Sequence, residues 1–444
     1  MTVHIAIIGG GASAAILSAN LMKGEKREHL RITIIEAQAP SCRGLAYDTP
    51  FTSHALNVRA GHVSAFADAP DHFLDWVNQQ DNRTVSREDF VPRPLYGHYL
   101  ESLLPKENTP RLRRIHQECI GLACRENGVE ITLKNGTVLP VHFAVLATGY
   151  GLSAATCSPL LSPWKAPLPT NPDSHVCLVG TGLTMVDTAL ALQDGGHRGP
   201  IIAFSRKAFL PLPHLASKPL ALSTADIPLG ASIHYFTRWL TQLVKAHEAA
   251  GGDWRDIVDG LRPHIQTIWK NLPVASRSRF LRHAATLWDI HRHKMPPSQA
   301  RRIAALLGTG QLQVRRGRFI AAEKRAGKTI IQLGIPPSHQ VETLEIDHAY
   351  DCRGVRRLLG PCQPLIAALV ETGQARRDPL GLALDFTPDL SLISADGRSS
   401  SRIFGIGPVT FATFWETTAI PEIRTQASHL ADLLHRKAGT DSAL

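Results

Sequence analysis

At 444 residues with 43% hydrophobic side chains, the chain has material for sizeable cores and is expected to hold two or three domains. Gly 34 and Pro 30 sit near average usage, which argues against a fibrous or disordered protein. The formal charge of +10 comes from basic residues spread along the sequence, so anionic cofactors or substrates, or solubility alone, explain it better than nucleic acid does.

Residues 3–8 (VHIAII) read as a buried strand that runs into Gly9-Gly10-Gly11-Ala12-Ser13-Ala14. A helix of small and apolar residues is predicted over 12–23, and a second buried strand over 32–35, ending in Glu36. In such a device Gly9 permits a tight turn and Gly11 lets the backbone approach a pyrophosphate. Ala14 lets helix and strand pack closely. The helix N-terminus supplies free N–H groups and positive dipole, and the Ser13 hydroxyl can add a hydrogen bond. Glu36 can accept the hydroxyls of a ribose. The spacing predicts a dinucleotide site, with a purely structural glycine turn as the alternative. The first strand starts at residue 3 and no run reaches 18 apolar residues. Neither a presequence nor a membrane span is expected, and the cytoplasm is the expected location.

Residues 42–63 form a long glycine- and asparagine-bearing segment, followed by short amphipathic helices predicted over 66–80 and 94–104. Residues 116–124 read as the end of a surface-packed helix. Residues 128–148 alternate as a small meander with Asn135-Gly136 as a hairpin turn, ending in Thr148-Gly149-Tyr150. The cysteines (42, 119, 124, 157, 177, 352, 362) are scattered and form no CxxC. That argues against a zinc cluster, a thioredoxin-like centre or a disulfide scaffold, and Cys119 and Cys124 read as small apolar fillers.

After a proline-rich crossing over 159–172, the strand–turn device returns as Val176-Cys177-Leu178-Val179 followed by Gly180-Thr181-Gly182-Leu183. Met185 stands where a third small residue belongs; its bulk would either push the helix away or be absorbed by the packing. Asp187 reads as a loop cap or a solvated helix residue. The next strand ends in Ser205-Arg206-Lys207, cations suited to a 2′-phosphate, which leans towards NADPH over NADH. A nicotinamide site and a degenerate unit kept for its fold both remain open.

A mostly helical block over 232–309 is rich in Arg, His and Trp. Its arginines read either as partners of acidic neighbours or as holders of an anionic substrate. His291-Arg292-His293 lacks the i, i+4 spacing of a helical zinc site, so no metal is expected. His214 lies on a stiff proline loop, where it either reaches a cleft or has no catalytic role. No GxSxG elbow occurs, so nucleophilic catalysis has little support. Strand patterns return at 311–332, 342–350 and 391–406, and a last helix over 422–436 is started by Pro421. The predicted class is α/β: two Rossmann-like dinucleotide-binding domains with an additional mostly helical segment. The expected division is 1–158, 170–231, 232–309, 310–350 and 351–438.

Several blocks taken together carry a resemblance. They are Gly9 to Ala14 with Glu36, Gly44-Leu45-Ala46-Tyr47, His54-Ala55-Leu56-Asn57-Val58 and Ala147-Thr148-Gly149-Tyr150. They continue with the Gly180 to Asp187 stretch, Ile403-Phe404-Gly405-Ile406-Gly407-Pro408, and the stretch from Phe414 to Arg424 that includes Trp415 and Thr418. The chain resembles a bacterial FAD/NAD(P)-binding flavoprotein family with two dinucleotide-binding domains, related to flavin monooxygenases and pyridine nucleotide-disulfide reductases. The resemblance assigns the FAD pyrophosphate and ribose to Gly9, Gly11, Ser13 and Glu36, with Ala14 in the same motif. It sets Tyr47, Asn57 and Val58 beside the flavin, and Thr148-Gly149 at the crossing between domains. The segment from Gly407 through Trp415 and Thr418 would close over the flavin, and NADPH or NADH would meet Gly180, Gly182 and Arg206.

The implied activity is that of an FAD-dependent NAD(P)H oxidoreductase, foremost a monooxygenase hydroxylating a small molecule through a flavin C4a adduct. A reductase, dehydrogenase or oxidase without a redox disulfide is one alternative, and a non-catalytic FAD-binding sensor or partner protein is another. No catalytic residue is assigned. Two departures stand out: Pro408 replaces the aspartate of related disulfide reductases, and only Cys42 lies near the place of their redox cysteines.

Overall fold

The computed structural model describes residues 2–23, 29–38, 42–80, 84–150, 159–164, 166–338, 340–354 and 363–441. Cys157 and Cys362 lie outside the described residues. The chain divides into two compact units. The first comprises Met1–Thr49, Val58–Ala155 and Arg356–Leu444, and the second Pro50–Asn57 and Thr156–Val355.

The first unit is built on a six-stranded sheet. Its order is Ser391–Ile393, Ser399–Gly405, Phe143–Leu146, Val3–Ile8, Leu30–Glu36, Leu112–His116. All neighbours are parallel except the first two. The central strands are continuous apolar runs because helices and loops cover both faces of such a sheet. The helix Ala12–Met22 is buried from Ser13 to Leu21 and packs against the long terminal helix Ile420–Asp441. That terminal helix begins two residues earlier than expected, with Pro421 in its first turn, where a missing N–H leaves no bond unmade.

Two expectations in this unit are corrected. The stretch read as a helix end is the strand Cys119–Arg125, which pairs antiparallel with Gly128–Leu133, itself paired with Val138–Val141. A bulge between Cys119 and Gly121 shifts the register, so Cys119 and Leu122 are both buried at a helix-like spacing of three. The strand Leu112–His116 was not anticipated, because three of its five residues are Arg or His. The helices that were anticipated are shorter, at His72–Asn78 and Arg93–Ser102.

The second unit holds a four-stranded parallel sheet ordered Leu312–Arg316, Ile201–Ser205, Val176–Val179, His348–Asp351. A three-stranded antiparallel sheet, Arg318–Arg325, Lys328–Ile335 and Gln340–Ile346, accompanies it. Between Ile201–Ser205 and Leu312–Arg316 the chain forms helices running from Ile233 to Gly308. Those helices carry their own small core around Ile227, Phe236, Ile257 and Leu261. Ser232 and Asp253 cap two of them, accepting from the Tyr235 and Arg255 backbone N–H groups.

Met185 is fully buried in the core beneath the parallel sheet, among Val176, Ile303 and Leu312, so its bulk is absorbed by the packing. Asp187 is not solvated: it is 3% exposed, and Gln299 donates to its Oδ1 at 3.4 Å. The same Gln299 amide donates to the Ser53 carbonyl at 2.8 Å, which ties the segment 50–57 into this unit. Lys294 is buried and donates to both oxygens of Asp259 at 2.9 and 3.0 Å, while Ser217 donates to Asp259 Oδ2 at 2.7 Å. No described helix is long and apolar enough to cross a membrane.

Candidate dinucleotide sites

Each unit contains the same backbone device. Gly9 has φ +109°, and a β-carbon there would stand 2.3 Å from the carbonyl oxygen of Ala147, just past the neighbouring strand. Gly180 has φ +124°, and its β-carbon would stand 2.4 Å from the carbonyl oxygen of Cys352, also just past the neighbouring strand. Only glycine satisfies both the dihedral and the approach. The helices that follow begin at Gly11 (φ −88°, ψ −167°) and Gly182 (φ −84°, ψ −167°), and neither N-cap makes a side-chain hydrogen bond. The N–H groups at the very start of both helices are therefore left without a side-chain cap at the positive end of the dipole, the arrangement that receives phosphate.

Around the first turn, Glu36 ends its strand with Oε2 accepting from the Gly10 N–H at 2.6 Å and Oε1 from the Gln38 N–H at 3.1 Å. A carboxylate has about four lone-pair sites, so acceptor capacity remains for vicinal hydroxyls. Ser13 is 8% exposed and Ala14 fully buried. Gly407 lies directly over Ser13. Its N–H donates to Gln426 Oε1 at 2.9 Å, and its carbonyl accepts from Thr410 at 2.8 Å and Thr417 at 3.3 Å. Gln426 in turn donates to Thr410 Oγ1 at 3.0 Å, closing a buried network.

The Thr148 hydroxyl is buried with no hydrogen-bond partner among the described residues, and Gly149 beside it has φ +61° and open space where a side chain would be. Tyr47 ends the short helix Gly44–Tyr47, its ring 5.1 Å from that of Tyr96, and burial pushes its phenol up to about 12. Trp415 is buried against Phe411 at 4.7 Å, and the half-buried Thr418 donates its N–H to the Glu416 carbonyl at 2.7 Å. Val58 is half-buried in this unit.

The remaining predicted residues fall in the second unit. Asn57 belongs there, and its carbonyl contacts His214 Nε2 at 3.0 Å, so His214 has a structural partner. Thr181, between the two glycines, donates to the Phe209 carbonyl at 2.6 Å and meets Ser205 Oγ at 2.8 Å. Ser205 Oγ also accepts from the Ala208 N–H at 3.0 Å, which fixes the loop bearing Arg206 and Lys207. Arg316 was not singled out from the sequence. The pairing of Leu312–Arg316 with Ile201–Ser205 sets Arg316 opposite Ser205, and its Nε donates to the Arg206 carbonyl at 3.2 Å. Lys207 donates to the His283 carbonyl at 3.2 Å. Among the described residues no carboxylate pairs with Arg206, Lys207 or Arg316. Strand pairing so far apart in sequence leaves no local signal.

The residues fit dinucleotides in both places. Glycines that no larger residue could replace, uncapped helix N-termini and the orphaned Thr148 hydroxyl are what such ligands need. The cysteines offer less. Cys119 and Cys124 lie on one strand, about 16 Å apart by strand rise, far beyond disulfide reach. Burial pushes the Cys119 and Cys177 thiols up to about 12, and raises Cys42 and Cys352 in the same direction.

Residues 6–151 match a protein-family model described as FAD-NAD(P)-binding. No curated protein matches the sequence. Among solved structures, the chain is similar to a Kutzneria ornithine N-hydroxylase (12% identity, TM-score 0.64, covering 99% of this chain and 100% of that one). It is similar to an L-lysine 6-monooxygenase from Pseudomonas syringae (15%, 0.61, 97% and 99%). It is also similar to a bacillithiol disulfide reductase from Staphylococcus aureus (13%, 0.57, 98% and 99%). The chain shares the α/β fold of these structures, with Rossmann-like dinucleotide-binding sheets and substantial helical segments.

Proposed function

We propose that this chain is an FAD-dependent oxidoreductase that oxidises NAD(P)H and hydroxylates a small molecule. The observation that carries the proposal is the repeated device: two sets of parallel strands, each with an obligatory glycine turn and an uncapped helix N-terminus. Gly9, Gly11 and the N–H groups at the start of the first helix would receive the FAD pyrophosphate, with Ser13 beside them. Glu36 would hold the adenosine ribose, and the Thr148 hydroxyl would gain the partner it lacks. Gly407, held by Gln426, Thr410 and Thr417, would present backbone close to the cofactor; Tyr47, Trp415 and Thr418 would shape and dry its surroundings. In the second unit Gly180 and Gly182 would receive the nicotinamide dinucleotide, with Arg206 at its adenosine end. The flavin, once bound, supplies hydride acceptance and electron delivery, so the protein need contribute only position, electrostatics and exclusion of water.

The similar solved structures include an ornithine N-hydroxylase and an L-lysine 6-monooxygenase, which supports the hydroxylation reading. The described thiols support it too: none is paired and poised as a low-pKa nucleophile, as dithiol exchange requires. The absorbed bulk of Met185 removes the sequence-level reason for treating the second unit as degenerate. The helical block's cations are largely engaged internally: Arg255 with Asp253, Lys294 with Asp259, Arg277 with two carbonyls. Their use on an anionic substrate is therefore the weaker reading.

The test is anaerobic mixing of FAD-loaded protein with NADPH and with NADH, followed by oxygen. Flavin bleaching and then NAD(P)H-dependent hydroxylation of an amine or other small substrate supports the proposal. Bleaching with acceptor reduction and no oxygen incorporation supports a reductase. Failure of both nucleotides to bleach the flavin overturns the nicotinamide role.

A further inference from the structure

The first unit has a second concave feature, at the other end of its sheet. A cavity of about 440 Å³ is lined by His4, Arg31, Thr33, Asn108, Thr109, Pro110, Arg113, Leu139 and Pro140. His4 precedes Gly9 by five residues of extended chain, so the cavity lies about 16 Å from the glycine turn. It is a separate place from the dinucleotide site.

Strand register explains how it forms. His4 is opposite Arg31 and Thr33 is opposite Arg113, while Arg31 and Thr33 are two residues apart on one strand. All four side chains therefore share one face of the sheet. Arg31 and Arg113 are diagonal neighbours there, a spacing of about 7–8 Å at which like charges repel. Among the described residues neither arginine has a carboxylate partner. Elsewhere in this unit exposed arginines are paired, as Arg125 is with Glu130 and Arg376 with Asp385.

The hydrogen-bond inventory of the lining is one-sided. Asn108 spends its Oδ1 on the Arg114 N–H at 2.8 Å, which leaves its amide NH₂ as a donor. Thr109 Oγ1 accepts from the Leu112 N–H at 3.0 Å and the Arg111 N–H at 3.3 Å, which leaves its O–H to donate. His4 Nε2 meets Thr33 Oγ1 at 2.8 Å, and its ring also bonds the Pro140 backbone, so both groups are used locally. Burial, and after it the Arg31 charge, hold His4 down at about 4, so it is neutral near pH 7. What remains to face a ligand is two guanidinium groups, an amide NH₂ and a hydroxyl, all donors, with apolar walls at Pro110, Leu139 and Pro140.

We propose that this cavity binds a small organic oxyanion, its carboxylate or phosphoryl group held between Arg31 and Arg113 and its apolar part resting on the proline and leucine wall. Asn108 and Thr109 donate to the remaining oxygens. The site stands apart from the redox site, so its ligand is a regulator or a stabiliser rather than a substrate of the flavin.

Isothermal titration of the full chain, saturated with FAD and NADP⁺, tests this with inorganic pyrophosphate and with benzoate at matched ionic strength. Saturable binding of one equivalent is expected for at least one probe. Arg31→Gln and Arg113→Gln should each weaken it roughly tenfold or more, and the double variant should abolish it. Both arginines are exposed, so far-UV circular dichroism and flavin content should match the unchanged chain. Binding of pyrophosphate alone assigns a phosphoryl ligand, and binding of benzoate alone a carboxylate. Equal binding by the unchanged chain and the double variant marks an adventitious ion only and overturns the proposal. So does the absence of saturable binding of either probe.

Discussion

Ser13 and Gly407 come from opposite ends of the sequence, yet a β-carbon on Gly407 would stand 2.2 Å from the Ser13 hydroxyl oxygen. Gly407 also has φ +73°, and its carbonyl and N–H are both committed to buried partners. Gly407→Ala must strain the backbone and displace Ser13 together. The expected outcome is a loss of roughly 2–4 kcal/mol in urea unfolding and loss of most bound flavin. Wild-type stability with full flavin content would show that the segment does not close on the phosphate turn.

Glu36→Gln tests the ribose assignment with less structural damage. The amide oxygen can still accept from the Gly10 N–H, so the turn should persist. The charge-assisted bonds to vicinal hydroxyls would weaken, and FAD affinity should fall about tenfold or more. Fluorescence titration of the apoprotein with FAD reads this directly. FMN, which has no adenosine ribose, should bind both forms alike.

Dinucleotide preference should depend on Arg206 and Arg316 together, since the Arg316 guanidinium is anchored on the Arg206 carbonyl. Arg316→Gln is expected to raise the KM for NADPH roughly tenfold and leave that for NADH nearly unchanged, because only one of them has the 2′-phosphate. Equal effects on both cofactors would assign Arg316 a structural role instead.

The buried pair of Lys294 and Asp259 makes the helical block vulnerable to half-deletion. Burial lowers the Lys294 ammonium, with the Asp259 bond opposing it. Burial also pushes Asp259 upward, but the bonds from Lys294 and Ser217 outweigh it and hold the carboxyl below its ordinary range. Lys294→Met would leave a largely buried carboxylate without its counter-charge, a loss of about 3–5 kcal/mol. The double variant Lys294→Met with Asp259→Leu should recover much of that loss in thermal melts.

His4 predicts an acid-sensitive component of stability. Its pKa lies near 6.5 when unfolded and at about 4 when folded, lowered by burial first, then by Arg31, His142 and Arg113. Between those values the unfolded chain binds the extra proton, so stability is fully present above pH 6.5 and declines as pH falls towards 4. Partial exposure reduces the effect to about 1–2 kcal/mol. A His4→Gln variant should show a shallower decline over that window; an unchanged slope would remove His4 as its source.

The glycine turns and Glu36 were legible because their chemistry is local: strand, turn and acidic residue follow one another within one repeat. The strand Leu112–His116 was not, because an edge strand need bury little and its cations hide the alternation. Cys119–Arg125 misled through its bulge, which converts a period of two into a spacing of three. Arg316 and the membership of residues 50–57 in the second unit depend on partners far away in sequence, Ser205 in one case and Gln299 in the other. Met185 was legible as a departure, but whether a core can absorb a side chain depends on neighbours such as Ile303 and Leu312.

Neither unit is a continuous piece of chain: the first is left at Thr49, regained at Val58, left again after Ala155 and regained at Arg356. Phe143–Leu146 pairs on one side with Val3–Ile8 and on the other with Ser399–Gly405. On a ribosome, that second edge stays open while the whole of the second unit is being made. A nascent chain therefore carries a fully apolar strand with one edge unpaired until its last stretch emerges, a window in which sticking to other strands competes with completion. Shortening the protein from its C-terminus far enough to remove Ser399–Gly405 would make that temporary exposure permanent.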